Sequence, residues 1–146
     1  MKKLKIYLCM IGFAFAFTSC GSGGNTLNFA NMGENSSVQD VIAGKWKLTK
    51  RIVKSKNHAI KACENDNTLE IQGDGAYVFD NGVTQCNANE TNDVGTWSLS
   101  DNDQELTFAG NEATKTMLLK SIGTNQLVAE IKIDTHIETH TYTKIQ

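Results

Sequence analysis

One segment of the chain, THIETHTY, concentrates the side chains best suited to chemistry. In an extended strand, residues two apart lie on one face about 6.5–7 Å apart, so His136, Glu138, His140 and Tyr142 would share a face. A neighbouring His and Glu could bind one metal ion with help from another strand, but the sequence identifies no third ligand. His136 and His140 would lie about 13 Å apart, too far to share an ion. We therefore predict the solvated face of a strand and no metal site.

The common catalytic motifs are missing from the sequence. It contains no G-x-S-x-G nucleophile motif, no phosphate-binding loop and no H-E-x-x-H zinc motif. Ser and Asp are plentiful but lie in segments typical of turns, where their hydrogen bonds to the backbone explain them. We predict a protein that is not an enzyme and that needs no cofactor.

The N-terminal 20 residues combine charge, hydrophobicity and a cysteine in a fixed order. Three lysines precede a 12-residue apolar segment, residues 6–17, which is shorter than the roughly 20 residues that span a bilayer and typical of a signal peptide. The segment runs into Phe-Thr-Ser-Cys, which resembles the lipobox of bacterial lipoproteins, whose cysteine is acylated and becomes the N-terminus. The resemblance implies a signal peptide over residues 1–19 and a lipid on Cys20. An ordinary signal peptide with an incidental cysteine is the alternative.

The segment after this cysteine, residues 20–36, is rich in Gly, Ser and Asn, and we predict a flexible tether. Gly21 rather than Asp follows Cys20, which by resemblance to lipoprotein sorting implies attachment to the outer membrane. The acidic cluster that exports some Bacteroidota lipoproteins to the cell surface is not evident. We therefore expect the protein to face the periplasm, with surface exposure as the alternative.

The distribution of charged residues indicates whether the protein could bind nucleic acid. Without the three N-terminal lysines, 11 of the 14 basic residues remain against 16 acidic ones, a net charge of about −5. No basic cluster is present, and phosphate neutralisation needs grouped Lys and Arg. We predict no nucleic-acid partner and a monomer that contacts a membrane through its lipid.

Two further cysteines, Cys63 and Cys86, remain after Cys9 and Cys20 are assigned to the N-terminal segment. In an oxidising compartment they can pair in only one way. A disulfide with 22 intervening residues would stabilise the fold by about 3 kcal/mol through loop entropy. Two free thiols, or half of a metal site, are the alternatives.

The remainder, residues 37–146, predicts one all-β domain. Ser37, followed three residues later by Asp40, is typical of a capping box and predicts a short helix. Eight alternating segments separated by Gly, Asn and Asp then predict strands over residues 45–53, 68–72, 76–80, 95–100, 105–109, 114–122, 126–133 and 135–145. In the first of them, Trp46, Leu48 and Ile52 are predicted to share the inner face. We expect an eight-stranded antiparallel up-and-down barrel, because closure removes exposed sheet edges.

Two Gly-x-Trp motifs carry a family resemblance. Gly44 and Trp46 open the first strand, and Gly95 and Trp97 repeat the pattern. The first resembles the motif of lipocalins, in which the Trp plugs the closed end of an eight-stranded barrel and the Gly lets the backbone pass close. Together with the lipobox and the two later cysteines, residues 41–146 are similar to lipocalin-like lipoproteins of Bacteroidota. Standard lipocalins place an Arg over the Trp, where this chain offers Lys144, and their Thr-Asp-Tyr-type motif is absent.

The resemblance implies a binding protein that carries a small apolar or amphipathic ligand in the barrel. The predicted inward-facing ligand contacts are Phe79, Phe108, Ala129, Ile131, Thr139 and Thr141. The alternative is a barrel filled by its own bulky side chains, which would act as a protein-interaction or inhibitor module in the cell envelope. An internal cavity would distinguish the two.

Overall fold

A capping box at Ser37 and Asp40 determines where the N-terminal helix begins. In the computed structural model, which describes residues 28–29, 32, 36–111 and 113–146, helix α1 (Val38–Ile42) begins after Ser37. The Ser37 hydroxyl accepts from the Asp40 amide at 3.1 Å, and the Asp40 carboxylate accepts from the Ser37 amide at 3.0 Å. The predicted capping box is confirmed. Within the described ranges, no helix is long and apolar enough to cross a membrane.

Eight strands close into an antiparallel barrel, as the sequence predicted. The strands of the described chain are β1 (Asn28–Phe29), β2 (Gly44–Val53), β3 (Lys56–His58), β4 (Thr68–Ile71), β5 (Ala76–Asp80), β6 (Asp93–Leu99), β7 (Glu105–Gly110), β8 (Lys115–Ile122), β9 (Gln126–Ile133) and β10 (His136–Lys144). In the barrel, β2 and β4 to β10 pair in chain order, and the β2–β10 pair closes the ring. A short 3₁₀ helix, Ala62–Glu64, precedes β4.

Two short strands were not predicted. Strand β3 forms a hairpin with the far end of β2, outside the ring. Strand β1 pairs in parallel with the end of β8, where Phe29 lies opposite Ile122, and Met32 packs against the core. The segment predicted as a tether therefore contacts the barrel at residues 28–29 and 32. The other tether residues up to residue 35, the predicted signal peptide and Cys20 lie outside the described residues.

The closed end of the barrel is packed by the two Gly-x-Trp motifs and α1. Trp46 is fully buried, and its indole Nε1 donates to the Ile42 carbonyl at the end of α1 at 2.8 Å. Trp97 is also buried, and its Nε1 donates to the Gln72 carbonyl at 2.8 Å. Gly44 has φ 142°, and a Cβ there would overlap the chain's last residues, so this position requires glycine.

A β-bulge in β2 reverses the direction of its side chains. Leu48 pairs with Tyr142, whereas Lys50 pairs with Thr141, so Thr49 is an extra residue in β2. Because side chains alternate with period two, one extra residue moves every later side chain to the other face. The prediction that Ile52 shares the inner face with Trp46 is therefore wrong. Arg51, paired with His140, takes that inner place.

Candidate functional site

A cavity of about 570 Å³ occupies the end of the barrel opposite α1. Its lining includes the ends of β5 and β9 and the beginnings of β6 and β8, which meet at that end of the barrel, and two residues of β10, His140 and Tyr142. The apolar part of the lining consists of Leu69, Phe79, Phe108, Met117, Ile131 and Ile133. This volume lies within the roughly 300–1,000 Å³ typical of small-molecule sites, which are also mainly apolar with a few polar groups.

One polar group in this wall is the carboxylate of Asp93, which is 3% exposed. The Tyr77 hydroxyl donates to it at 2.9 Å, the Asn111 amide donates to it at 3.0 Å, and the Lys115 ammonium lies 3.5 Å away. Tyr77 also packs edge-on against Phe108, with ring centroids 4.9 Å apart. The buried charge is thus compensated, and the tyrosine ring is fixed in the cavity wall.

The second polar group is the row of alternate residues in THIETHTY. His140 Nε2 lies 2.8 Å from one oxygen of Glu138, and His136 Nε2 lies 3.1 Å from the other. His140 Nδ1 lies 3.2 Å from the Tyr142 hydroxyl. His140 and Tyr142 are only 7% and 6% exposed, so the predicted solvated face is wrong there. Their burial is tolerated because each polar atom of this row finds a partner in it.

Burial and neighbouring charges shift the pKa values of His140, Glu138 and Tyr142. Burial lowers the pKa of His140, with the positive charge of Arg51 acting in the same direction, and this exceeds the opposing hydrogen bond to Glu138. Burial alone would raise the pKa of Glu138, but hydrogen bonds from His140 and His136 and the charge of Arg51 hold it below its usual value. A neutral His140 therefore donates from Nε2 to the Glu138 carboxylate and accepts from Tyr142 at Nδ1. Burial also raises the pKa of Tyr142, which keeps its hydroxyl protonated.

A smaller space of about 120 Å³, which we call the polar chamber, adjoins the cavity. Four side chains line both spaces, namely Leu69, Phe79, His140 and Tyr142. The chamber's other lining includes Arg51, whose Nη1 donates to the Glu64 carboxylate at 3.0 Å. Arg51 Nε lies 3.5 Å from the Glu138 carboxylate. The chamber therefore combines charged groups with apolar side chains such as Trp46 and Leu48.

The first long connection of the chain contributes Glu64 and Asn67 to this chamber, and it is tied to the second long connection. Cys63 and Cys86 form a disulfide with their Cα atoms 5.0 Å apart, which confirms the predicted pairing and excludes free thiols and a cysteine metal site. The Asp66 carboxylate also accepts from the Val83 and Thr84 amides, both at 3.0 Å. These ties fix the 3₁₀ helix that carries Glu64 to Arg51.

The predicted ligand contacts divide into two groups. Phe79, Phe108 and Ile131 line the cavity, and Ala129 is fully buried on the same face of β9. The prediction that Thr139 and Thr141 point inward is wrong. They pair with Glu130 and Val128 and alternate with the buried His140, so they lie on the outer face of β10.

Sequence reasoning also missed the polar residues of the interior. It placed His140 and Tyr142 on one face but gave that face to solvent, and it did not select Arg51, Glu64 or Asn67. His140 lies directly opposite Ala129 on the neighbouring strand. Directly paired residues share a face of the sheet, so the buried Ala129 shows that His140 points into the barrel. Among the described residues, no group of three His, Cys, Asp or Glu side chains could hold a metal ion.

Comparison with known proteins identifies the family. No curated protein sequence is significantly similar to the chain. Residues 42–129, more than half of the chain, match the model of a family described as a lipocalin-like domain. That segment contains the first six strands of the barrel, β2 and β4 to β8, and the first half of the seventh, β9. The chain therefore belongs to the family of lipocalin-like domains.

Proposed function

We propose that this protein binds a small amphipathic molecule inside its barrel and carries it in the bacterial cell envelope. The observation that carries the proposal is the mainly apolar cavity of about 570 Å³ at the end opposite α1. The lipocalin-like family supports ligand binding in general. Family membership does not specify the ligand, whose chemistry depends on the residues that line the interior.

The cavity favours a carrier over a filled interaction module. An eight-stranded barrel is just wide enough to be filled by its own side chains or to hold one small ligand. Here Trp46 and Trp97 fill the closed end, whereas Phe79, Phe108 and Ile131 line open space at the other end. A carrier needs such a space, and a module that acts through its loops and outer face does not.

The action that we propose is binding without catalysis. The carboxylate of Asp93 is held by Tyr77 and the Asn111 amide, and that of Glu138 is held by two histidines. These groups have structural partners, and the sequence carries none of the common catalytic motifs. We propose no nucleic-acid partner, because the charge pattern offers no basic cluster. We also propose that the protein is a monomer.

The proposed location follows from the N-terminal sequence. A lipid on Cys20 would anchor the domain, and Gly21 after the cysteine supports the outer membrane, with the barrel facing the periplasm. The Cys63–Cys86 disulfide suits that oxidising compartment. An anchored barrel would hold an apolar cargo close to the membrane from which such molecules partition.

Titration with an environment-sensitive apolar dye tests binding. We expect saturable fluorescence enhancement with one site per chain. Ile131→Trp places a large ring in the cavity and should weaken binding at least about tenfold, by a loss of roughly 1.4 kcal/mol. Thr139→Trp, on the outer face of β10, is the matched control and should bind like the wild type. Equal loss in both variants, or no saturable binding, would refute an internal site.

A further inference from the structure

His140 lies in the wall that the cavity shares with the polar chamber, and neighbours on its own strand engage both of its ring nitrogens. The side chains of His140 and Tyr142 line both spaces. His140 Nε2 lies 2.8 Å from the Glu138 carboxylate, and Nδ1 lies 3.2 Å from the Tyr142 hydroxyl. The neutral ring makes both hydrogen bonds only as a donor at Nε2 and an acceptor at Nδ1. In this state the Tyr142 hydroxyl donates to His140.

Protonation of His140 reverses the direction of its hydrogen bond with Tyr142. Both nitrogens of the charged ring are donors, so the Tyr142 oxygen must accept from Nδ1 and its own proton must turn away from the ring. Burial raises the pKa of Tyr142, so the hydroxyl keeps that proton. Within the described ranges, His140 is the hydrogen-bond partner of this hydroxyl. The protonated state therefore requires a new acceptor for the Tyr142 proton.

Water in the barrel can supply this acceptor when no ligand is bound. The cavity of about 570 Å³ and the chamber of about 120 Å³ are both far larger than the roughly 15 Å³ that one water requires. An apolar chain in the cavity displaces water from the wall formed by His140 and Tyr142 and offers no acceptor. Since a buried donor without a partner is strongly disfavoured, an apolar ligand opposes the protonation of His140.

The charges closest to His140 act in both directions. Glu138 and Glu64 favour the protonated ring, whereas the positive charge of Arg51 opposes it. His136 contacts the other oxygen of Glu138 and shares its negative charge. Burial has the largest effect and lowers the pKa of His140. Further burial by a ligand acts in the same direction as this largest effect.

The other elements around His140 add little charge. Across the cavity, the Asp93 carboxylate accepts from the Tyr77 hydroxyl and lies 3.5 Å from the Lys115 ammonium, so its charge is compensated. The neighbours of His140 on β9, β4 and β5 are uncharged, namely Ala129, Leu69 and Phe79. The hydration of the shared wall therefore becomes the main difference between an empty and an occupied barrel at His140.

We propose that the barrel releases its ligand on acidification, with His140 as the residue that takes up the proton and the Tyr142 hydroxyl as the group that transmits the change to the cavity. The neutral ring is compatible with an apolar ligand at this wall, and the protonated ring requires water there. This inference rests on the proposed function and names its regulation. By linkage, the ligand must bind less tightly as the pH falls below about 6.5, where histidine takes up its proton.

Displacement of an uncharged apolar dye from the full chain by 1-decanol, which does not titrate, tests the regulation. The affinity is measured at about pH 7.5 and at the lowest pH, near 5, at which circular dichroism shows a folded chain. We expect 1-decanol to bind at least about threefold less tightly at the acidic pH. His140→Gln keeps a donor and an acceptor but does not titrate, so this ratio should fall below about 1.5-fold. The exposed His58→Gln is the matched control and should retain the wild-type ratio.

The imidazole resonances of the wild-type chain provide a second readout that needs no variant. Saturating 1-decanol should lower the pH at which the His140 ring titrates, because coupling between two binding events is reciprocal. The titration of the exposed His58 should not change.

The outcomes separate the regulation from the proposed function. If the dye and 1-decanol fail to bind at about pH 7.5, the proposed function fails. If 1-decanol binds equally at both pH values, or leaves the His140 titration unchanged, the function stands and the regulation is wrong. The regulation is also wrong if His140→Gln retains the wild-type ratio, because another group then takes up the proton.

Discussion

The ammonium of Lys144 lies 5.0 Å from the centroid of the Trp46 ring and donates to the Val41 carbonyl at 2.9 Å. This lysine occupies the place where the resemblance to lipocalins suggested an arginine. It links the last strand to α1 across the indole, and it combines a cation–π contact with a hydrogen bond to a helix carbonyl. Its burial lowers the pKa of Lys144. The closed end of the barrel is thus held by contacts among α1, β2 and β10.

Among the residues that pack the closed end of the barrel, Trp46 should contribute most to the free energy of unfolding. Trp46→Ala removes a fully buried ring and its hydrogen bond to Ile42, and we expect the free energy of unfolding to fall by about 3–5 kcal/mol. Urea unfolding followed by circular dichroism measures the change. Ile145→Ala, at a residue that is 48% exposed, is the control and should change little. An unaltered midpoint in Trp46→Ala would contradict the closed-end packing.

The disulfide should contribute stability through the two long connections. Replacing both Cys63 and Cys86 by Ala should lower the free energy of unfolding by about 3 kcal/mol. Reductant should produce a similar loss in the wild type and none in the double variant. Mapping of unreduced peptides should recover one cross-linked pair that contains both residues. Insensitivity of the wild type to reductant would show that the connections are not joined in solution.

Stability should decrease on acidification because of His140 and Glu138. Burial lowers the pKa of His140 in the folded state, so below the unfolded value of about 6.5 the unfolded chain binds the additional proton and gains relative stability. The lowered pKa of Glu138 adds a further loss once the pH falls through the range of an ordinary glutamate. Above about pH 6.5, titration of His140 should leave the free energy of unfolding unchanged. Below about pH 6.5, the free energy of unfolding should decrease as the pH falls.

The variant His140→Gln tests this assignment. It should flatten the decrease between about pH 6.5 and pH 5, where histidine protonation dominates. The exposed His58→Gln is the matched control and should retain the wild-type pH dependence. An equally steep decrease in His140→Gln and the wild type would place the titrating group elsewhere.

The proposed anchor predicts a specific covalent product. The mature chain extracted from membranes should begin at Cys20, and its intact mass should exceed that of residues 20–146 by the acyl groups. Cys20→Ser should abolish this increment and release the protein from the membrane fraction. A wild-type product without the mass increment would refute the lipobox interpretation.

Much of the architecture could be predicted because local signals agree with the fold. The eight barrel strands begin and end within about two residues of the predicted bounds, since Gly, Asn and Asp turns separate alternating segments. The capping box at Ser37 and Asp40 and the pairing of Cys63 with Cys86 were also predictable. The strands and the capping box depend on residues close in sequence, and the disulfide was predictable because only two cysteines follow the N-terminal segment.

The polar interior could not be predicted because it depends on register. The extra residue Thr49 in β2 turns Arg51 inward, and no local signal in the sequence marks that bulge. Polar residues in THIETHTY suggested a solvated face, whereas the pairing of His140 with Ala129 directs them inward. Alternation tells which residues share a face, but the choice between the inner and the outer face is made by tertiary packing.

The most direct test of ligand binding is a crystal structure of the protein with a bromine-labelled amphipathic molecule, 10-bromo-1-decanol, recorded at the bromine absorption edge. We expect one anomalous bromine peak inside the barrel, in van der Waals contact with cavity residues such as Phe108 and Ile131. Bromine peaks confined to the outer surface, with side chains filling the interior, would contradict the account.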